Sequence, residues 1–334
     1  TDDEKSQGTA AMEMTKWYDT NYHYIVPEFE AGQSFALTST KPIDEFIEAR
    51  EMGIITRPVL LGPVTFLLLG KTVDPDLEPL TLLGELLPVY EEVIQRLDRE
   101  GAEWIQLDEP HLVQDLDGEE RAAMENAYRR LGDVVEEANL LVASYFGELG
   151  DNLELALSLP VSGLHVDLIR GDDQLDRLVE ADVPEGMSIS FGVVDGRNVW
   201  RTDLAQTLET VDTAVEMLGS ERVMVSPSCS LLHVPVDVEL ETNLDEEIAS
   251  WLAFAKQKVE EISLLARGAN EGPAAIVEAL EANQEMIESR RSSEKIHDPG
   301  VQDRASAIDE SMFSRSSPYP DRKPQQKDRL DLPP

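Results

Sequence analysis

In 334 residues the chain carries 67 acidic against 28 basic side chains, a formal charge of −39 spread along its whole length. That field repels nucleic acid and anionic membrane, while a hydrophobic content of 41% excludes global disorder and allows one large domain or two ordinary ones. A single cysteine, Cys229, leaves no internal disulfide, and no apolar run approaches the roughly 18 residues of a membrane-spanning helix.

The lysines are few (Lys5, Lys16, Lys41, Lys71, Lys256, Lys258, Lys295, Lys323 and Lys327). Dispersed acids with few lysines suggest a halophilic protein, in which salt screens self-repulsion; an ordinary acidic cytosolic protein is the plainer alternative. The start, Thr1-Asp2-Asp3-Glu4, lacks the basic and apolar parts of a signal peptide and an initiating methionine. It reads as cytoplasmic and as a fragment.

Residues 1–14 form a polar lead-in. From Tyr22 to Gly268 short apolar strands alternate with amphipathic helices. The strand candidates are Tyr22–Val26, Val59–Leu61, Trp104–Leu107, Leu140–Tyr145, Leu164–Leu168, Ser188–Val194 and Val223–Ser226. Tyr90, Val93, Ile94 and Leu97 recur at helical spacing, and Gly101 stands where a helix ends. A second helix is expected over Asp245–Ala266, with Ile248, Trp251, Leu252, Ala255, Val259 and Ile262 on one side. Three acids, Asp245, Glu246 and Glu247, suit its N-terminal dipole.

Repeated strand–helix units imply a parallel sheet. Parity chooses its kind. Ile105 and Leu107 share one strand face, Gln106 and Asp108 the other; His165 and Asp167 likewise oppose Leu164, Val166 and Leu168. A polar second face suits a barrel interior near its mouth, whereas an open doubly wound sheet has both faces apolar. The expectation is a (β/α)8 TIM-type barrel over 15–268 with its first strand or strands missing upstream. A C-terminal helix over Ala274–Arg290 and an extended, proline-rich linker tail to Pro334 make up 269–334.

Polar groups gather at the strand C-termini, where barrel enzymes keep their sites. They are Asp108, Glu109, Tyr145, His165, Asp167, Asp195 with Arg197 and Asn198, and Ser226 to Ser230. Singly, each is read as a helix cap or a satisfied loop group; together they read as a ligand mouth. One cysteine cannot make a thiolate-rich zinc site, and no two histidines stand at helical ligand spacing. His165 and Asp167 read as an interior hydrogen-bonded pair, with a His/carboxylate metal site as the less favoured alternative. Ser228, Cys229 and Ser230 lie near His233 in sequence without a nucleophile-elbow glycine pattern. No glycine-rich phosphate or dinucleotide fingerprint occurs.

Several long segments carry a family resemblance. They are Lys16-Trp17-Tyr18-Asp19-Thr20-Asn21-Tyr22-His23-Tyr24-Ile25-Val26-Pro27-Glu28, Pro58 to Leu67, Trp104 to Pro110, Gly192 to Trp200, Ser228 to His233 and Trp251 to Lys258. From about Met14 to the last residue the chain resembles the amino-terminal half of cobalamin-independent methionine synthase. That resemblance implies a folate-binding half of a methyltransferase that moves a methyl group from 5-methyltetrahydropteroyl-polyglutamate to homocysteine.

It further implies that Lys16 and Asn21 bind the glutamate tail, that no catalytic residue lies in this half, and that zinc and homocysteine belong to a second, C-terminal catalytic barrel. No cobalamin is implied. That second barrel, on the same or a separate chain, is the expected partner. Through the duplication that relates the two barrels, its His-x-Cys pair falls near Tyr145-Phe146-Gly147, its glutamate near Asp167 and its last cysteine on Cys229. The family's first folate-contacting segment, an Arg-Glu-Leu-Lys run, is absent. Two rival readings are a docking barrel without ligand affinity, and a standalone methyltransferase with a metal on His165, Asp167 and Cys229.

Overall fold

Strands and helices alternate along the computed structural model, which describes residues 11–171 and 173–330. A hairpin of β1 (Met14–Lys16) and β2 (His23–Ile25) is followed by β3 (Glu28–Phe29), α1 (Lys41–Glu51), β4 (Val59–Leu61), α2 (Pro63–Leu68) and β5 (Lys71–Thr72). Next come α3 (Leu83–Arg99), β6 (Trp104–Asp108), α4 (Gly118–Gly132), β7 (Asn139–Ala143) and α5 (Leu153–Ser158). Then follow β8 (Gly163–Asp167), α6 (Gln174–Glu180), β9 (Ser188–Val194), α7 (Leu204–Leu218) and β10 (Val223–Pro227).

Six strands form one parallel sheet in the order β4-β6-β7-β8-β9-β10. Its edges, β4 and β10, are not hydrogen-bonded to each other among the described residues. They nevertheless curl together. Arg57, just before β4, puts Nη2 3.6 Å from Sδ of Met224 on β10. A flat sheet would hold edges five strand spacings apart, about 24 Å, farther than one arginine reaches. The curl is that of a barrel wall.

Parity works as the sequence suggests. Ile105 and Leu107 are fully buried beneath the helices, with Ile94 and Leu97 of α3 and Val64 and Leu67 of α2. Gln106, Asp108 and His165 face the interior. Gly101 takes φ +85° immediately after α3, a value that a Cβ would strain.

Two expectations need correction. Tyr22–Val26 is no wall strand: β2 pairs only with β1, antiparallel, with Lys16 opposite His23. The helix over Asp245–Ala266 is broken into α8 (Glu246–Ser250) and α9 (Ala255–Glu271). Between them Leu252 forms an antiparallel bridge to Trp200, and the Ala253 amide donates to the Val199 carbonyl. Tertiary backbone pairing there outweighs helical periodicity. Val259, expected on the apolar side, is 55% exposed.

The described residues divide into two compact units, on either side of Glu285 and Met286, and the division falls within α10 (Val277–Ser292). The tail, expected to be extended, is in part helical instead: it contains α11 (Pro299–Ser306) and α12 (Tyr319–Leu330), both without buried residues. Asp298 caps α11 through the amides of Gly300 and Val301, and Pro299 at its first turn removes an amide that needs no partner.

Candidate functional site

The β1–β2 hairpin carries Lys16 and Asn21, and Asn21 borders a small cavity. Its loop is fixed from within: the Trp17 amide donates to the Tyr22 carbonyl at 2.7 Å, and Thr20 Oγ1 donates to the Trp17 carbonyl at 2.6 Å. Tyr18 adopts φ +52°, a costly conformation for a non-glycine residue. Its ring is held 5.8 Å from that of Phe146, itself at φ +77°. Trp17 packs edge-on against Tyr24 at 5.5 Å, and Tyr24 Oη donates to the Leu69 carbonyl. The tip is therefore anchored to the barrel while its polar side chains stay outside.

Lys16 and Asn21 are both exposed, and Lys16 Nζ lies 3.5 Å from Asn21 Oδ1. No carboxylate pairs with Lys16 among the described residues. The structure thus brings the two sequence-nominated residues together. Beside them, Asp19 bridges two arginines. Arg197 Nη1 donates to its Oδ1 at 2.5 Å and Arg170 Nη1 to its Oδ2 at 3.4 Å. Partial burial pushes the Asp19 carboxyl up, but the two guanidiniums outweigh it and hold it below the usual range.

Under the hairpin lies a cavity of about 500 Å³, walled by Trp17, Tyr22, Tyr24, Asp108, Tyr145 and His165 among others. Asp108 accepts from Gln106 Nε2 at 2.7 Å and from Tyr145 Oη at 3.0 Å. Burial pushes its carboxyl up to about 6 against those bonds. His165 Nε2 faces the Ser228 carbonyl at 3.2 Å, and a carbonyl only accepts, so the proton sits there. Nδ1 is then free to accept from Ser190 Oγ at 3.0 Å. Burial pulls the imidazole down to about 4, so it stays neutral.

Asp167 shares the parity of His165 but not its destination. It turns into the loops, where its carboxylate accepts from the amides of Phe146, Ile169 and Arg170. Asp195 accepts from the amides of Arg197 and Asn198 and from the Asn198 side chain. Glu109 lies fully buried behind the cavity wall. It accepts from the Thr65 amide at 2.7 Å, the Tyr128 hydroxyl at 3.0 Å and the Val64 amide at 3.2 Å.

These positions do not suit a zinc ion. Cys229 is 4% exposed, and burial pushes its thiol up to about 12. Tyr145-Phe146-Gly147 offers neither imidazole nor thiolate, and the Asp167 oxygens are occupied by three amides. Among the described residues no three His, Cys, Asp or Glu side chains gather as metal ligands.

Sequence reasoning missed Arg170 and the role of Asp19. An arginine three residues past the end of a strand whose C-terminus lines the mouth was the available signal.

Comparison with known proteins agrees with this architecture. Two curated relatives are named 5-methyltetrahydropteroyltriglutamate–homocysteine methyltransferase. One, from Salinibacter ruber, is 53% identical over 329 residues, 98% of this chain and 43% of its own length. The other, from Nitrobacter winogradskyi, is 50% identical over 332 residues, 99% of this chain and 43% of its own length. The chain therefore spans less than half of the relatives it matches.

Among solved structures, a B12-independent methionine synthase from Shewanella sp. W3-18-1, in complex with selenomethionine, superposes with a TM-score of 0.58. It shares 15% identity, over 79% of this chain and 75% of that one. A methyltransferase from Methanosarcina mazei gives 0.51 at 12% identity, over 77% and 75%. At such identities the likeness is one of fold. The family model described as the N-terminal domain of cobalamin-independent synthase matches residues 5–219, and the chain belongs to that family.

Proposed function

We propose that this chain is the folate-side half of a cytoplasmic, cobalamin-independent methionine synthase. In this reading it holds the glutamate tail of 5-methyltetrahydropteroyl-polyglutamate through Lys16 and Asn21. Methyl transfer to homocysteine is left to a C-terminal catalytic barrel outside these residues, where the family resemblance also puts the zinc. Zinc would make homocysteine a thiolate there; the residues of this chain would bind and orient the donor. The isolated chain should not transfer methyl groups.

One observation carries the reading. On a chain of charge −39, Lys16 stands exposed beside an amide and without a carboxylate partner among the described residues. A polyanionic tail needs such local cations on an otherwise repulsive surface. Asn21 can turn its amide N–H to a second carboxylate oxygen.

The test titrates the chain with mono- and triglutamyl 5-methyltetrahydrofolate, following tryptophan fluorescence. The triglutamate should bind more tightly, and Lys16→Ala should weaken it by about three- to tenfold, the range for a half-screened charge-assisted contact. The loss should shrink with the monoglutamate. Equal losses for both ligands, or a parent chain indifferent to tail length, would leave Lys16 as an ordinary surface lysine and favour the docking barrel.

A further inference from the structure

Arg197 is better placed to meet an anion than Lys16 is. Its side chain is 16% exposed, its guanidinium lies 5.0 Å from the centre of the Phe146 ring, and Asp19 binds it twice, through Oδ1 and through the carbonyl at 3.2 Å. Stacking and two hydrogen bonds orient the fork before any ligand arrives. Three of its five N–H donors remain after those bonds. It also helps to wall a small cavity of about 340 Å³, together with Thr20, Asn21, Tyr22, Leu232 and His233. Asn21 thus belongs both to the Lys16 pair and to this cavity.

Arg170 and Arg197 bring two positive charges to the single carboxylate of Asp19. Among the described residues Asp167 and Asp195 are also close, and their oxygens are turned to the amides of Phe146, Ile169, Arg170, Arg197 and Asn198 and to the Asn198 side chain. Burial, then the Arg197 charge, hold His233 below its ordinary value, so it adds a neutral ring rather than a third cation. The Arg197 donors that Asp19 leaves open thus border a concave site on a strongly acidic chain.

We propose that Arg197 and Arg170, bridged by Asp19, form a second carboxylate subsite that takes a further carboxylate of the same γ-linked glutamate tail. This rests on the tail-binding reading of Lys16 and Asn21. Arg197 is the fixed donor. Arg170, 44% exposed and tied to Asp19 by a longer contact, is the adjustable one. Asp19 is an internal counter-ion that preorganises both guanidiniums while competing with the ligand for them.

That last role makes the proposal testable by sign. The probes are free γ-linked triglutamate and triglutamyl 5-methyltetrahydrofolate, titrated by calorimetry into the parent chain, Lys16→Ala, Arg170→Gln and Asp19→Asn. Arg170→Gln should weaken both probes about three- to tenfold. Asp19→Asn should tighten both, because it removes the competing charge but keeps an amide oxygen for the guanidiniums. A merely structural Asp19 would give the opposite sign, with weaker binding and a lower melting temperature.

If Arg170→Gln and Asp19→Asn leave affinity unchanged while Lys16→Ala lowers it, the second subsite is wrong and the tail reading stands. If Lys16→Ala is silent while the other two respond as expected, the arginine subsite stands and the Lys16 assignment falls. A parent chain that binds neither probe overturns both.

Discussion

At the hairpin tip Lys16 stands in solvent with one amide beside it; behind the cavity wall Glu109 is fully buried and meets three donors. Both are ionisable residues in stretches of family resemblance. The first is cheap to hold and uncommitted, so it is free for a ligand. The second is fully committed, and even its space is reserved: a Cβ on Gly62 would lie 2.1 Å from the Glu109 carboxyl carbon. The contrast teaches that a shared motif can mark two things, a contact with an outside molecule or a polar joint inside the wall. Partner accounting separates them where sequence cannot.

The strongest way to break that contrast is to remove the joint. Glu109→Ala strands two buried amides and the Tyr128 hydroxyl and leaves a hole, at a cost of about 3–5 kcal/mol. Urea unfolding should show that loss; a change below about 1 kcal/mol would mean that Glu109 holds little. The pH dependence has a definite sign. Burial raises the folded carboxyl to about 7 from an ordinary value of 4.5. Between those values the folded state binds more protons than the unfolded one, so this group's contribution falls as pH rises from about 4.5 to about 7. Stability of the parent relative to Glu109→Gln should decline across that window, and a rising difference would refute the burial argument.

Salt should drive the two regions apart. With −39 spread over the surface, screening relieves self-repulsion, so the melting temperature should rise by several degrees between roughly 0.1 and 2 M salt as the screening length falls from about 10 Å to under 3 Å. Tail affinity at Lys16, Arg170 and Arg197 should fall over the same range, because those charges face the same solvent. Potassium and sodium chloride run in parallel separate screening from specific ion binding. A flat melting temperature would remove the salt-adapted reading; affinity that does not fall would count against an electrostatic tail site.

Period-two and period-3.6 patterning made most of the wall legible, and Ser188–Val194 is a strand with the bounds that the sequence suggested. The failures have a common cause. Trp251 and Leu252 carry a helical pattern but are claimed by backbone pairing with Val199 to Arg201, about fifty residues away, which no local pattern records. Asp167 shows why site reading is harder than fold reading: parity put it beside His165, yet at the last residue of β8 the loop amides took its carboxylate. Lys16 and Asn21 were nominated through motif resemblance alone. Arg170 was overlooked because its meaning depends on Asp19, which lies 151 residues away in the sequence.

The smallest effect belongs to Cys229, and its smallness is the point. A reactive or metal-binding thiol needs an exposed, electropositive setting that favours the thiolate. Cys229 has the reverse: 4% exposure, a thiol pushed up to about 12 first by burial and then by the Asp167 charge, and only long contacts from Sγ to Ser228 Oγ at 4.0 Å and to the Ser230 carbonyl at 3.8 Å. It also fills space tightly, since a Cβ on Gly196 would come within 2.9 Å of its sulfur. Such a residue behaves as a small hydrophobe. Cys229→Ala should therefore cost about 1 kcal/mol of stability through lost packing, change triglutamate affinity less than twofold, and leave the zinc content of the purified chain near zero before and after. A native thiol that reacts with a disulfide reagent as fast as the unfolded one would break this account from the interior side. So would one zinc per chain that the substitution releases, and the standalone metal reading built on His165, Asp167 and Cys229 would then have to be taken up.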